Sequence, residues 1–167
     1  MTTRSNRLTF IAYLLGLLPL CPTGIYAQQP TEPNSSISAE TTIPSAELLE
    51  PAELVQMLHA SGRDRPLILQ VGSHVLYAEA HIPGSEYVGA GADKAGLLSL
   101  RERVKTLKKD QLLVIYCGCC PWGRCPNIRP AYQQLHALGF SRIKVLDLAD
   151  NFGTDWVNKG YPVASGR

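Results

Sequence analysis

The chain has 167 residues, with 16 Lys and Arg against 14 Asp and Glu. Two of the arginines and none of the acids lie in residues 1–27, and without that segment the two charge counts are equal. A neutral remainder of about 140 residues is long enough for one domain with a hydrophobic core. Its balanced charge gives no electrostatic case for binding nucleic acid or an anionic membrane.

The first 27 residues have the pattern of a secretory signal peptide. Two arginines precede an apolar run at residues 8–20, which is shorter than the ~20 apolar residues that span a bilayer. We predict cleavage after Ala27, export to the periplasm or the outside, and no stable membrane insertion afterwards. A lipoprotein attached through Cys21 is the alternative, which the bulky Leu20 before it disfavours.

Residues 28–45 are rich in Pro, Ser, Thr and Glu and contain almost nothing apolar to bury. This composition predicts a flexible linker between the signal peptide and a domain at residues 46–165. Export would place that domain in an oxidising compartment, where exposed thiols tend to form disulfides.

From residue 46 onward, segments of helical and strand periodicity alternate. The first helix, within residues 50–62, has Leu54, Val55 and Leu58 on one face. The elements that follow are a strand at 66–71, a turn and short strand at 81–89, a helix at 97–109, a strand at 112–117, a helix at 130–139, a strand at 143–148 and a short helix at 154–160. This alternation predicts an α/β fold, with a mostly parallel sheet and helices on both of its faces.

The stretch VIYCGCCPWGRCPN (114–127) concentrates the cysteines of the domain in one loop. All the cysteines of the predicted mature chain lie in it, namely Cys117, Cys119, Cys120 and Cys125. The loop leaves the carboxyl end of the strongest predicted strand, where parallel sheets bind ligands, and enters a helix. Loop N–H groups and a helix N-terminus both stabilise an anion such as a thiolate. The loop is therefore the candidate site, with Arg124 placed to attract an anionic substrate and Asn127 placed to cap the helix.

Four features give the chain a resemblance to a known family. The helix–strand opening of the domain, the turn AHIPGS (80–85), the strand LLVIYC (112–117) and the closing segment NFGTDWVNKGYPV (151–163) have the order and spacing of a rhodanese-like domain. The resemblance covers roughly residues 47–164 and implies the fold of that family together with sulfur transfer. In this reaction a cysteine attacks the outer sulfur of a donor such as thiosulfate and becomes a persulfide. It then passes the sulfur to a thiol or to cyanide.

Carried onto this chain, the resemblance makes Cys117 the catalytic residue of a sulfurtransferase. It implies that loop amides from Gly118 onward stabilise the anionic sulfur and that Arg124 holds the oxyanion of the donor. The substrate-binding loop then consists of Gly118, Cys119, Cys120, Trp122, Gly123, Arg124 and Cys125. Trp122 either shields the sulfur from water or packs in the core. The implied partners are a small sulfur-containing substrate and a thiol acceptor, and the resemblance implies no metal or cofactor. The sequence does not decide the oligomeric state.

The loop departs from the family pattern in its length and its support. Cys117 to Arg124 spans eight residues where six are usual, whereas Cys119 to Arg124 spans six, so Cys119 is a rival nucleophile. Neither cysteine has the five intervening residues before an arginine that mark the related phosphatases. The family often has an aspartate and an arginine after its second strand, where this chain reads Gln-Val-Gly at 70–72. This puts the local support of the loop in doubt.

Three other interpretations of the cysteines stay open. Cys117 and Cys120 form a C-x-x-C pair, which is typical of thiol–disulfide exchange. Four thiolates also suit copper, zinc or an iron–sulfur cluster, although their spacing matches no common zinc motif. Two structural disulfides are the third interpretation, and the spacing does not decide their pairing. The alternative function is thus a redox or metal-binding module on the same scaffold.

Overall fold

The computed structural model describes residues 43–62 and 65–166, so the predicted signal peptide and most of the predicted linker lie outside the described residues. Ile43 is buried and belongs to the hydrophobic core, and a 3-10 turn follows at Ser45–Glu47. The hydrophobic core therefore includes Ile43, which lies within the predicted linker at residues 28–45.

Within the described residues, five short strands form one sheet in which every neighbouring pair is parallel. The strands are β1 Leu48–Leu49, β2 Leu67–Gln70, β3 Glu86–Tyr87, β4 Leu113–Tyr116 and β5 Ile143–Leu146. Their order across the sheet is β1-β5-β4-β2-β3, which puts β4 at the centre with a bonded neighbour on each side. The predicted α/β fold with a parallel sheet is confirmed.

In the part of the chain that the structure describes, four α-helices and several short helical turns cover the sheet. The helices are α1 Pro51–Met57, α2 His74–Glu79, α3 Lys94–Val104 and α4 Ile128–Ala137, and a π-helical turn follows at Gly153–Val157. Pro130 lies in the first turn of α4, where a missing backbone N–H leaves no hydrogen bond unmade. None of the described helices is long and apolar enough to cross a membrane.

The central strand divides its side chains between two cores, because successive residues of a strand point to opposite faces. Leu113, Ile115 and Cys117 belong to the core that α3 and α4 cover. Val114 and Tyr116 belong to the core that α1 and the π-helical turn cover. The alternation therefore delivers the Cys117 side chain to the face of the sheet on which α4 begins.

Candidate active site

Gln70 braces the start of the cysteine loop. Its side-chain Nε2 donates to the Cys117 carbonyl at 2.9 Å, and its Oε1 accepts from the Gly72 N–H at 3.1 Å. Gln70 is 2% exposed, so both bonds are shielded from water. The doubt raised by the Gln-Val-Gly sequence is thereby answered, because one neutral amide ties the end of β4 to the end of β2.

The Cys117 sulfur packs directly against the backbone of Gly72. A Cβ at position 72 would lie 2.6 Å from the Cys117 Sγ and 2.8 Å from the Cys117 carbonyl oxygen, which is too close for any side chain. Glycine at this position is therefore what leaves room for the sulfur. Cys117 itself is 3% exposed.

The loop turns sharply after the sulfur and is pinned at two points. Gly118 has a φ of 88°, a conformation that favours glycine, and its carbonyl accepts from the Phe152 N–H at 3.0 Å. Further on, the Trp122 N–H donates to the Leu148 carbonyl at 3.0 Å, where a 3-10 turn begins at Trp122–Arg124. Both anchors lie beyond the carboxyl end of β5, so the neighbouring strand holds the loop.

Asn127 contacts the sulfur, a role that the sequence analysis missed. Its Nδ2 donates to the Cys117 Sγ at 3.3 Å, while its Oδ1 accepts from the Ala92 N–H at 3.0 Å. Because the Ala92 N–H can only donate, the amide orientation is fixed with Nδ2 toward the sulfur. Asn127 precedes α4, but its side chain makes no capping hydrogen bond. The sequence showed only that Asn127 is a polar residue between the loop and the helix, and this position predicted a helix cap rather than a contact with the sulfur.

The close approach of another segment makes this contact possible. A Cβ at Gly91 would lie 2.1 Å from the Asn127 carbonyl oxygen, so only glycine lets the two backbones meet there. The Gly91 N–H also donates to the Val71 carbonyl at 2.9 Å. These contacts hold the Ala92 N–H in place for the Asn127 side chain.

The four loop cysteines are free thiols and form a cluster rather than separate pairs. The Sγ atoms of Cys117, Cys119 and Cys125 all lie within 4.8 Å of one another, and the first two are 3.3 Å apart. Cys120 contacts the Cys119 Sγ at 3.1 Å but is not part of this set of three. The sulfurs in contact with Cys117 are therefore those of Cys119 and Cys125, and not that of Cys120 as the C-x-x-C spacing suggested.

The thiols around Cys117 are held in their protonated form. The pKa of Cys119 is raised to about 11, mainly by partial burial of its thiol and secondly by a hydrogen bond with Cys120. The pKa of Cys125 is raised well above its usual range, mainly by a hydrogen bond with Cys117 and secondly by burial. Burial also raises the pKa of Cys120. At neutral pH these three residues are weak nucleophiles, because the thiolate is the reactive form.

Two cavities flank the cluster, and between them they are lined by every predicted site residue except Cys120. A cavity of about 390 Å³ is lined by Cys117, Gly118 and Cys119 together with Gln70, Leu76, Glu79, Ala80, Tyr116, Asn151, Phe152, Gly153 and Val157. A second cavity of about 420 Å³ is lined by Trp122, Gly123, Arg124 and Cys125 together with Ile43, Pro126, Ile128, Arg129 and Pro130. The loop residues that the sequence predicted as one substrate site thus face two different spaces.

The two cavities also differ in charge. Among the described residues that line the first, Glu79 is the only charged one, and there is no Lys or Arg. Arg124 lines the second cavity, away from the opening at Cys117 and Cys119. Trp122 packs against the core and also lines the second cavity. Arg124 therefore does not line the cavity that Cys117 borders, and its contact with a donor oxyanion stays a prediction.

Comparisons with known proteins agree with the fold. The sequence profile of the family described as Rhodanese-like domain matches residues 50–149. The BH2092 protein of Bacillus halodurans is 21% identical, with a TM-score of 0.51 over 71% of this chain and 76% of that one. The thiosulfate sulfurtransferase of Pseudomonas aeruginosa is 23% identical, with a TM-score of 0.50 over 71% and 20%.

A third similar structure is almost fully covered by the match. The single-domain sulfurtransferase RDL2 of Saccharomyces cerevisiae is 15% identical, with a TM-score of 0.52 over 73% of this chain and 98% of that one. No curated protein sequence matches the chain significantly. At these identities the likenesses show the fold alone.

Proposed function

This chain belongs to the rhodanese-like domain family, and from that premise we propose that it is an exported sulfurtransferase that carries sulfane sulfur as a persulfide on Cys117. The observation that carries the proposal is the setting of the Cys117 Sγ. It lies at the end of the central strand, borders a cavity of about 390 Å³, and accepts a hydrogen bond from the Asn127 amide. Export rests on the charge and hydrophobic pattern of residues 1–27.

The first half of the reaction loads the cysteine. The Cys117 thiolate attacks the outer sulfur of a thiosulfate-like donor, and the sulfur–sulfur bond of the donor breaks. Sulfite leaves with the bonding electron pair when thiosulfate is the donor, and Cys117 is left as a persulfide anion. The cavity lined by Cys117 and Cys119 is where the donor approaches.

The second half transfers the sulfur to an acceptor. A thiolate or cyanide attacks the terminal sulfur of the persulfide, and the bond to Cys117 breaks. Negative charge then returns to the Cys117 Sγ, which is the atom that the Asn127 Nδ2 contacts at 3.3 Å. A donor fixed at the atom where charge develops lowers the barrier, because no reorganisation is needed during the reaction.

The surroundings favour Cys117 over Cys119 as the nucleophile. Cys119 is exposed as a residue, but partial desolvation of its thiol and a hydrogen bond with Cys120 raise its pKa to about 11, which keeps it protonated at neutral pH. Cys117 has the Asn127 donor, and its backbone is fixed by Gln70. We therefore assign the persulfide to Cys117.

The distance between two sulfurs supports a second candidate function, thiol–disulfide exchange. The Cys117 thiolate would attack a substrate disulfide and release one substrate thiol. Cys119, whose Sγ is 3.3 Å away, would then attack the mixed disulfide and release the other. Two electrons pass to the substrate, and a Cys117–Cys119 disulfide remains.

Intact-mass spectrometry of the purified chain, without reducing agent, tests the proposal. The spectrum is recorded before and after addition of excess thiosulfate, and separately after a small organic persulfide. We expect a gain of one sulfur atom that maps to Cys117, that is absent from Cys117→Ser and that cyanide removes as thiocyanate. A chain that gains no sulfur from either donor would refute the proposal, and loss of two hydrogens with a Cys117–Cys119 disulfide would support the second candidate.

A further inference from the structure

Sulfur transfer uses one sulfur atom of the cluster, but the structure brings three together. Cys117 and Cys125 are 3% and 5% exposed, and Cys119 completes the set from the solvent side. We propose that these three residues form a three-coordinate thiolate site for copper(I). The proposal does not rest on sulfur transfer, although both activities use Cys117.

The spacing of the sulfurs fits one central metal ion. Three sulfurs bonded in a plane at ~2.3 Å stand ~4.0 Å from one another. In the cluster all three separations are within 4.8 Å, and the separation between Cys117 and Cys119 is 3.3 Å. A shift of the Cys119 side chain opens that separation. It is exposed and follows Gly118, so its movement does not disturb the buried pair.

The number and type of donors favour copper(I) over zinc. Structural zinc sites are almost always tetrahedral with four ligands, whereas soft thiolates select copper(I). Among the described residues, no His, Asp or Glu joins the three cysteines within the same separation. Cys120 hydrogen-bonds to both Cys119 and Cys125, but its sulfur does not lie within the same separation of all three cluster sulfurs, so it is not a fourth ligand.

Metal binding by this cluster balances without a redox step. Three thiols release three protons to solvent, copper stays in the +1 state, and the resulting site has a net charge of −2. The Asn127 Nδ2 donates to one of the three sulfurs and offsets part of this charge. The ion reaches the site through the first cavity, which both Cys117 and Cys119 line.

Shared use of Cys117 makes the two activities mutually exclusive. A Cys117 sulfur bonded to copper cannot attack a donor, and a persulfide on Cys117 extends the sulfur beyond the centre of the cluster. One equivalent of copper(I) should therefore block sulfur loading completely. Copper bound elsewhere on the chain would leave loading intact.

Anaerobic titration of the reduced full chain with copper(I), against a chromogenic copper(I) chelator, tests the site. We expect one equivalent to bind, with three sulfur neighbours at ~2.3 Å in the X-ray absorption spectrum. Cys119→Ser and Cys125→Ser should each weaken binding by about 100-fold or more, since removing even a group behind a ligand costs 10–100-fold. Cys120 lies behind the ligands Cys119 and Cys125, so the comparison variant Cys120→Ser should weaken binding by only about 10-fold, less than either ligand variant.

Three results would overturn the copper site: tighter binding of zinc(II) than of copper(I), an equal loss in Cys120→Ser, or no loss in the Cys119 and Cys125 variants. Cys119 is exposed, so its variant remains informative if the buried Cys125→Ser fails to fold, which circular dichroism would reveal. Sulfur loading of copper-free protein separates the two proposals. A chain that loads sulfur but binds no copper(I) refutes only the metal site, and the converse refutes only sulfur transfer.

Discussion

The two sides of the cysteine loop differ although a few residues separate them along the chain. The first cavity has the sulfurs of Cys117 and Cys119, a largely apolar wall and one carboxylate, Glu79. The second has Arg124 and the buried Cys125. The 3-10 turn, pinned to β5 by a backbone hydrogen bond, sends the later part of the loop to the other side of the cluster. Neighbours in a loop therefore need not serve the same site, and each prediction below tests that division.

Alkylation should separate the two sides most strongly. Burial and Cys120 raise the pKa of Cys119 to about 11, so its thiolate fraction grows about tenfold per pH unit below that value. We expect the iodoacetamide reaction at Cys119 to accelerate by about a thousandfold between pH 7 and pH 10. Cys125, which is buried and has a still higher pKa, should react more slowly throughout. Tandem mass spectrometry of the labelled peptides measures both rates, and equal rates would contradict the division.

Asn127→Asp should cause the largest loss of activity after removal of Cys117 itself. One carboxylate oxygen would still accept from the Ala92 N–H, but the other would place negative charge beside the Cys117 Sγ. We expect kcat/KM to fall by about 10²- to 10³-fold, the usual loss when a donor to developing charge is removed. The pH optimum should also rise, because the added charge opposes formation of the thiolate.

The matched control for this charge change is Asn151→Asp. Asn151 lines the first cavity, and its Oδ1 accepts from the Thr154 N–H at 2.9 Å, so the same substitution there adds the same charge without touching the sulfur. If both variants lose activity equally, the effect is one of charge in the cavity and not of the Asn127 contact.

Gly72→Ala should be the next most severe change. The added methyl group would lie 2.6 Å from the Cys117 Sγ and must displace it. A displacement of about 1 Å can lower a rate by about 10²-fold, so we expect a loss of that order in persulfide formation. Gly123→Ala is the control, since a Cβ there meets nothing within 4 Å and lies on the second side of the loop. Stopped-flow loading with thiosulfate compares them, and a similar loss in both would mean that the loop tolerates no added side chain.

Local patterns were enough to predict most of the fold. The apolar run at β4, the helical spacing of α4 and the turn before β3 are patterns among residues that are close in sequence. Each of the elements that they predict is present. Two elements were missed. β1 has two residues and is defined only by its pairing with β5, while α2 buries a single side chain, Tyr77, and so has no apolar face to detect.

The details of the site were less predictable than its location, because they depend on distant residues. Asn127 is fixed by the Ala92 N–H, 35 residues earlier, and Gln70 acts on the Cys117 carbonyl, 47 residues later. Neither contact leaves a trace in local spacing. The same is true of the two cavities, since residue spacing put Arg124 in one predicted site with Cys117, whereas the two residues line different cavities.

The smallest expected effect is on the KM for thiosulfate, and it shows whether the donor approaches Cys117 past Glu79 or past Arg124. If an anionic donor enters the first cavity, Glu79 repels it, and Glu79→Gln should lower the KM for thiosulfate. Because Glu79 is exposed, we expect only about a two- to fivefold change, the range of screened surface charges. Raising the ionic strength should shrink the difference between the two proteins, since salt screens exposed charges beyond about 10 Å at 0.1 M.

Arg124→Gln is the matching change on the second side and should leave this KM nearly constant, because Arg124 does not line the cavity of the sulfur. The family pattern, which uses a loop arginine to hold the donor, requires the opposite ranking. If Arg124→Gln raises the KM more than Glu79→Gln lowers it, the donor reaches Cys117 from the second cavity. The separation of the two cavities would then hold only before the donor binds, and the loop would have to change conformation for the reaction.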